Sequence, residues 1–220
     1  MRIESKHSRS TTHLQRDGHA QGKLTETFTG LFRTILSADK DQSRKAAREV
    51  RKLLYSHHDG QYQDIVAIIE RAPEEYAKIA EDFRQENFVM AISVLYFLHN
   101  RENDPDFLFP WLFGFLQHEN GNIRHAAVRM FEHEIGPLTR HIRFPDEKFS
   151  AHHLPSEHAD RIIFTLFANL NSLEADLWKP TYKRYKFVSS LPSGAYKSAQ
   201  MVTARLADSC GKQYMARFLR

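Results

Sequence analysis

Residues 107–138 read FLFPWLFGFLQHENGNIRHAAVRMFEHEIGPL. The first ten of them, from Phe107 to Leu116, are apolar on every side, so they predict a helix without a solvated stripe that needs neighbours on both flanks. Pro110 places the start of the regular helix at or near itself, because its ring is tolerated only in a first turn. A turn follows at Asn120, Gly121 and Asn122. Beyond it, Ile123, Ala126, Ala127, Met130, Phe131 and Ile135 recur at the spacing that puts them on one face of a second helix. Arg124, His125, Arg129, Glu132 and His133 take the opposite face.

On the N-terminal side the same periodicity continues. Leu24, Phe28, Leu31, Phe32, Ile35 and Leu36 form one apolar stripe, and Asp39 or Asp41 then caps a helix that buries Ala46, Ala47, Val50, Leu53 and Leu54. Its outer face carries Arg44, Lys45, Arg48, Glu49, Arg51 and Lys52, an excess of one sign that solubility does not require. Tyr62 to Ile69 make the next helix, Pro73 with Glu74 and Glu75 opens a short one, and Asn87 precedes an apolar helix from Phe88 to Leu98. On the C-terminal side the pattern lapses after Ile135, where Gly136, Pro137, Pro145 and Pro155 mark a long loop over residues 138–155. Pro155 and Ser156 open a helix with Ile162, Ile163, Leu166, Phe167 and Leu170 inward. A further helix from Ala195 to Cys210 ends at Gly211 as its C-cap, before a short terminal one.

Three stretches align as versions of one unit: Ser43–Val50 (SRKAAREV), Phe88–Leu95 (FVMAISVL) and Ile123–Met130 (IRHAAVRM). Their matched alanines, Ala46, Ala91 and Ala126, lie 45 and 35 residues apart, close to the period at which helix pairs stack into a solenoid. Over about residues 24–138 the pattern resembles HEAT repeats, in which a second helix carries a small-residue pair just after a basic residue, here Arg44 and Arg124. In the middle unit Val89 stands where the basic residue would be and Ile92 where the second alanine would be. The resemblance implies an all-α fold, a HEAT-like or armadillo-like superhelix whose concave side binds a partner. That domain spans residues 24–220, behind a polar, basic arm at 1–23 that lacks the apolar residues to order itself.

Composition narrows the function classes. One cysteine in 220 residues rules out an intramolecular disulfide and a multi-cysteine metal site, and fits a reducing, cytoplasmic setting. No apolar run reaches the length of a membrane span. The net charge of +4 is made of +3 over residues 1–23, −7 over 24–178 and +8 over 179–220, so basic ends flank an acidic body. The partner expected is therefore an acidic protein or nucleic acid, with no small-molecule cofactor. Arg44, Arg48, Arg51, Lys52, Arg124 and Arg129 are the candidates for a basic concave face, with Tyr96 and Phe97 extending an apolar centre between them. Lys183, Arg184 and Lys186 form a second group in the basic cap 179–220, interleaved with Trp178, Tyr182, Tyr185, Phe187 and Tyr196. Cations that meet phosphates beside rings that stack on bases suit single-stranded nucleic acid; equally, the rings cap the solenoid core and the lysines are solvated.

Catalysis finds little footing. Cys210 lies at a helix end, where a thiolate gains nothing, and no serine sits in an elbow motif. His152, His153, Glu157 and His158 are the densest histidine group, without the spacing of a zinc site. An alternative function comes from the HEAT-like alkylpurine DNA glycosylases, which this chain is similar to only at the level of fold; that family uses an acidic residue beside tryptophans, for which Asp176 with Trp178, or Asp106 with Trp111, are the nearest matches.

Overall fold

Asp39 shows how the local rules build this chain. Its Oδ1 accepts from the Asp41 and Gln42 N–H groups, both at 3.0 Å, which caps the helix that follows. The computed structural model describes residues 28–56, 63–145 and 154–219. Among them there is no strand. The helices are α1 (28–37), α2 (Lys40–Ser56), α3 (Gln63–Glu70), α4 (Ala72–Tyr76), α5 (Asp82–Leu95), α6 (Phe109–Leu116), α7 (Gly121–Leu138), α8 (Arg140–Arg143), α9 (Ser156–Leu177), α10 (Ala195–Cys210) and α11 (Lys212–Met215), with short 3-10 turns between some of them. The arm at 1–23 and Leu24 lie outside the described residues.

The helices form a ladder. α2 packs on α5, α5 on α7 and α7 on α10, while α6 lies along α7 and α9 along α10. Polar links fix the direction and register of the rungs. Asn87 Nδ2 donates to Ser43 Oγ at 2.9 Å across α5 and α2, and Glu86 accepts from Asn120 at 2.7 Å and Asn122 at 2.8 Å across α5 and α7. Arg84 of α5 also donates to the Ala38 carbonyl just ahead of α2 at 3.1 Å, so the contacts advance the same way along both helices; the starts of the three helices lie together and the helices run parallel. At their other end Phe97 and His133 are 5.9 Å apart. The linked pairs are 44 and 36 residues apart, each within one residue of the spacing by which Ala46, Ala91 and Ala126 align. All three alanines are buried.

Four expectations need correction. Asn87 does not precede its helix: α5 begins at Asp82, and Asn87 is a buried polar link in its second turn. The helix at 109–116 is not covered on both flanks, since Pro110 and Gly114 face solvent and Trp111 and Phe113 are half-buried. Between α7 and α9 the chain is not all loop, because α7 runs through Pro137 to Leu138 and α8 adds a turn; residues 146–153 lie outside the described set. Tyr96, placed on the binding face, has no exposed surface and sits in the core between α5 and α7.

The far end of the ladder is tied by a carboxylate. Asp160 near the start of α9 accepts from His141 of α8 at 2.8 Å and from the Tyr214 hydroxyl of α11, so three elements converge on the C-terminal end of α10.

Candidate binding surface

Trp178 to Gly194 cannot continue the helix before it. Pro180 pushes Lys179 out of the helical region, Pro192 does the same to Leu191, and α10 begins only after Gly194. The segment instead folds as two 3-10 turns, Pro180–Arg184 and Val188–Ser190, laid beside the first turns of α10. Its side chains enclose a hollow of about 150 Å³, walled by Trp178, Tyr182, Tyr185, Phe187 and Tyr196, with Lys183 and Lys186 among its other lining residues.

The rings are held in place but are not core. Tyr182 and Tyr196 stack at 4.6 Å with 22° between their planes. Phe187 is 70% exposed and Trp178 42%, and none of the five belongs to the buried core. Tyr182, Tyr185 and Tyr196 are half-buried, while Trp178 and Phe187 lie at the surface. Cations lie against ring faces: Lys183 Nζ is 5.6 Å from the Trp178 ring centroid, and the Arg184 guanidinium is 4.9 Å from that of Tyr185 while also donating to its hydroxyl at 2.8 Å. No carboxylate occurs between Asp176 and Asp208. Behind the hollow, Glu174 accepts from the Thr203 hydroxyl; burial raises its carboxyl above the ordinary range, partly opposed by that bond. The Tyr196 phenol is also raised, first by burial, then by Glu174 and Tyr182, so it remains a neutral ring.

No family model, curated protein or solved structure matches this chain. What the site does has to be read from its own geometry.

The basic candidates separate into two groups. Arg44, Arg48, Arg51 and Lys52 are all exposed on α2, the first rung, where Lys52 pairs with Glu49 at 2.6 Å and Arg51 lies over Tyr55 at 5.9 Å. Lys183, Arg184 and Lys186 sit beside α10, the fourth rung. At 8–10 Å between packed helices, three steps put the groups on the order of 25–30 Å apart. Between them the surface changes character. Phe97 is half-exposed and Met90 half-buried, but Val89 is wholly buried, so the apolar centre is smaller than the sequence suggests. Arg124 is engaged elsewhere: its guanidinium donates to the carbonyls of His118 at 2.6 Å and Glu119 at 2.7 Å, closing the turn between α6 and α7. Arg129 is half-buried beside His133, whose imidazole is lowered chiefly by burial and then by that cation.

Val188, Leu191 and Gln200 also line the hollow, and sequence reasoning passed over them. Only Gln200 carried a usable signal, since it falls one helical turn after Tyr196 and so shares its face.

Among the described residues no group of three or more metal-ligating side chains comes together; His152 and His153 lie outside them. Cys210 is 6% exposed, and burial together with Asp160 pushes its thiol up to about 12 against the opposing effect of Arg143. At pH 8 its thiolate fraction is then about one in ten thousand, compared with roughly a quarter for an ordinary thiol. The folded protein is expected to resist iodoacetamide at pH 8 and to take up one equivalent in urea, as read by intact mass. Rapid labelling without denaturant would mean that α10 does not bury this residue.

Proposed function

We propose that this chain is a non-catalytic, HEAT-like helical scaffold of the cytoplasm that engages an acidic macromolecule through its basic surfaces. The observation that carries the reading is the hollow beside α10, where half-buried and exposed rings adjoin cations in a stretch free of carboxylates. Buried cations would need partners, and solvated ones alone would not need five rings around them. The HEAT-like part is supported by the consecutive, parallel stacking of α2, α5 and α7 in the register of their sequence match. The exposed arginines of α2 supply a second contact for a partner long enough to span the ladder.

The test uses two polyanions, poly-L-glutamate and an oligothymidylate of about twelve residues, at about 50 mM salt. At least one is expected to bind, and replacing Lys183, Arg184 and Lys186 together by glutamate is expected to weaken it by about tenfold or more. If neither binds, the scaffold reading fails. The glycosylase alternative is checked in parallel with alkylated DNA: Asp176 is exposed and is absent from the hollow's lining, so no base release is expected, and measurable release would overturn the non-catalytic assignment.

A further inference from the structure

We infer that the hollow beside α10 takes one unstacked base of a single-stranded nucleic acid, with the adjoining phosphates on Lys183 and Lys186. This rests on the reading of the chain as a binder of acidic macromolecules and narrows it to one class.

Size comes first. A cavity of about 150 Å³ is the volume that admits one benzene-sized ring, so the hollow holds a single pyrimidine-sized group and no bulky side-chain cluster. Shape comes next. Tyr182 and Tyr196 already stack with only 22° between their planes, and a third flat ring extends such a pair without moving either member. Phe187 and Trp178, at 70% and 42% exposure, present further ring surface at the rim. Leaving this much aromatic surface in water is costly unless something covers it.

Charge decides the class of the occupant. The Lys183 ammonium stands 5.6 Å from the Trp178 ring, so a ligand whose ring enters the hollow brings whatever it is covalently attached to within reach of a cation. A nucleotide strand offers a planar ring and a phosphate in every residue. An acidic peptide would have to alternate aromatic and carboxylate side chains to meet the same rings and the four cations Lys179, Lys183, Arg184 and Lys186. A duplex is excluded on geometry, because its bases are stacked on one another and present edges rather than faces. Gln200, at the hollow's wall, supplies an amide that can donate to and accept from a base edge.

The experiment is a fluorescence anisotropy titration of the full chain with a labelled oligothymidylate of about twelve residues, its duplex with oligoadenylate, and poly-L-glutamate, across about 50 to 200 mM salt. The single strand is expected to bind at least about tenfold more tightly than the duplex. Trp178→Ala and Phe187→Ala, both at exposed positions, are each expected to weaken it by about 5-fold to 150-fold while leaving the salt slope unchanged. Lys183→Gln with Lys186→Gln is expected to flatten the log–log slope by up to about 1.4, at about 0.7 for each phosphate no longer neutralised. Circular dichroism melts of each variant show that the fold is retained. Duplex bound as tightly as single strand, or aromatic variants that bind like the parent, would overturn the inference. Binding of poly-L-glutamate without oligothymidylate would overturn it too, yet leave the scaffold reading intact; binding of neither removes both.

Discussion

Replacing His99 by alanine is expected to lower the stability of the protein by about 3–5 kcal/mol, because it takes a hydrogen-bond donor from a carboxylate in the core. His99 Nδ1 accepts from the Arg101 N–H at 3.1 Å, so the ring proton is on Nε2, which donates to Glu134 Oε1 at 2.7 Å. Both side chains are almost wholly buried, at 4% and 3% exposure. The buried Glu134, near the C-terminal end of α7, is then left with one donor fewer. For a chain of this length the melting temperature should fall by about 6–20 °C. Tyr96 provides the contrast. Its hydroxyl is buried beside the same pair with no hydrogen-bond partner among the described residues, and the carboxylates of Glu134 and Asp106 add to burial in raising its phenol. Tyr96→Phe therefore removes an unsatisfied group and is expected to be neutral or up to about 1 kcal/mol more stable. A His99→Ala variant that melts within a degree or two of the parent would show that the pair is not buried as described.

The second large effect is expected at Phe131. This ring is fully buried and lies 5.0 Å from Phe109 and 5.3 Å from Phe113, so it is one of the side chains through which α7 holds α6. Phe131→Ala should cost about 3–5 kcal/mol, the transfer free energy of the missing ring plus that of the cavity it leaves. Phe131→Leu retains most of the volume and should cost distinctly less. Chemical denaturation of the two variants, with an unchanged m-value, is the measurement. Equal losses for leucine and alanine would mean that the cavity term is absent and that α6 closes down on the gap.

The elements that sequence reasoning found are those whose signal is local. Asp39 at the start of α2 and Gly211 at φ 78° after α10 are recognised by what their own backbone needs. The alignment of Ala46, Ala91 and Ala126 carries the register, because small residues are needed wherever two of these helices approach closely. What escaped was set by neighbours distant in the chain. Asn87 looks like a cap, and only the arrival of Ser43 from α2 makes it a buried link. Arg124 looks like an outer cation, but the carbonyls at the end of α6 claim it. Glu134 follows two outward-facing residues, and nothing beside it in the sequence points to His99, which bonds its carboxylate in the core. That α10 forms a fourth rung was hidden by the 73 residues that separate Ala199 from Ala126, far more than the repeat period. In the candidate site the cations and rings were legible as an interleaved run, whereas their enclosure around a hollow depends on turns that composition does not specify.

The order of the rungs bears on where the molecule loosens first. α5 is held between α2 and α7, α7 between α5 and α10, and α10 between α7 and α9, so opening any of these three breaks two helix interfaces. The two 3-10 turns that form the hollow lie outside this stack, beside the first turns of α10, so amide exchange by local opening should be faster there than along α5, α7 or α10. The hollow therefore belongs to a part of the protein that yields at low cost, and any ligand seated there would slow exchange over Pro180–Arg184 and Val188–Ser190 well before it altered exchange in α5.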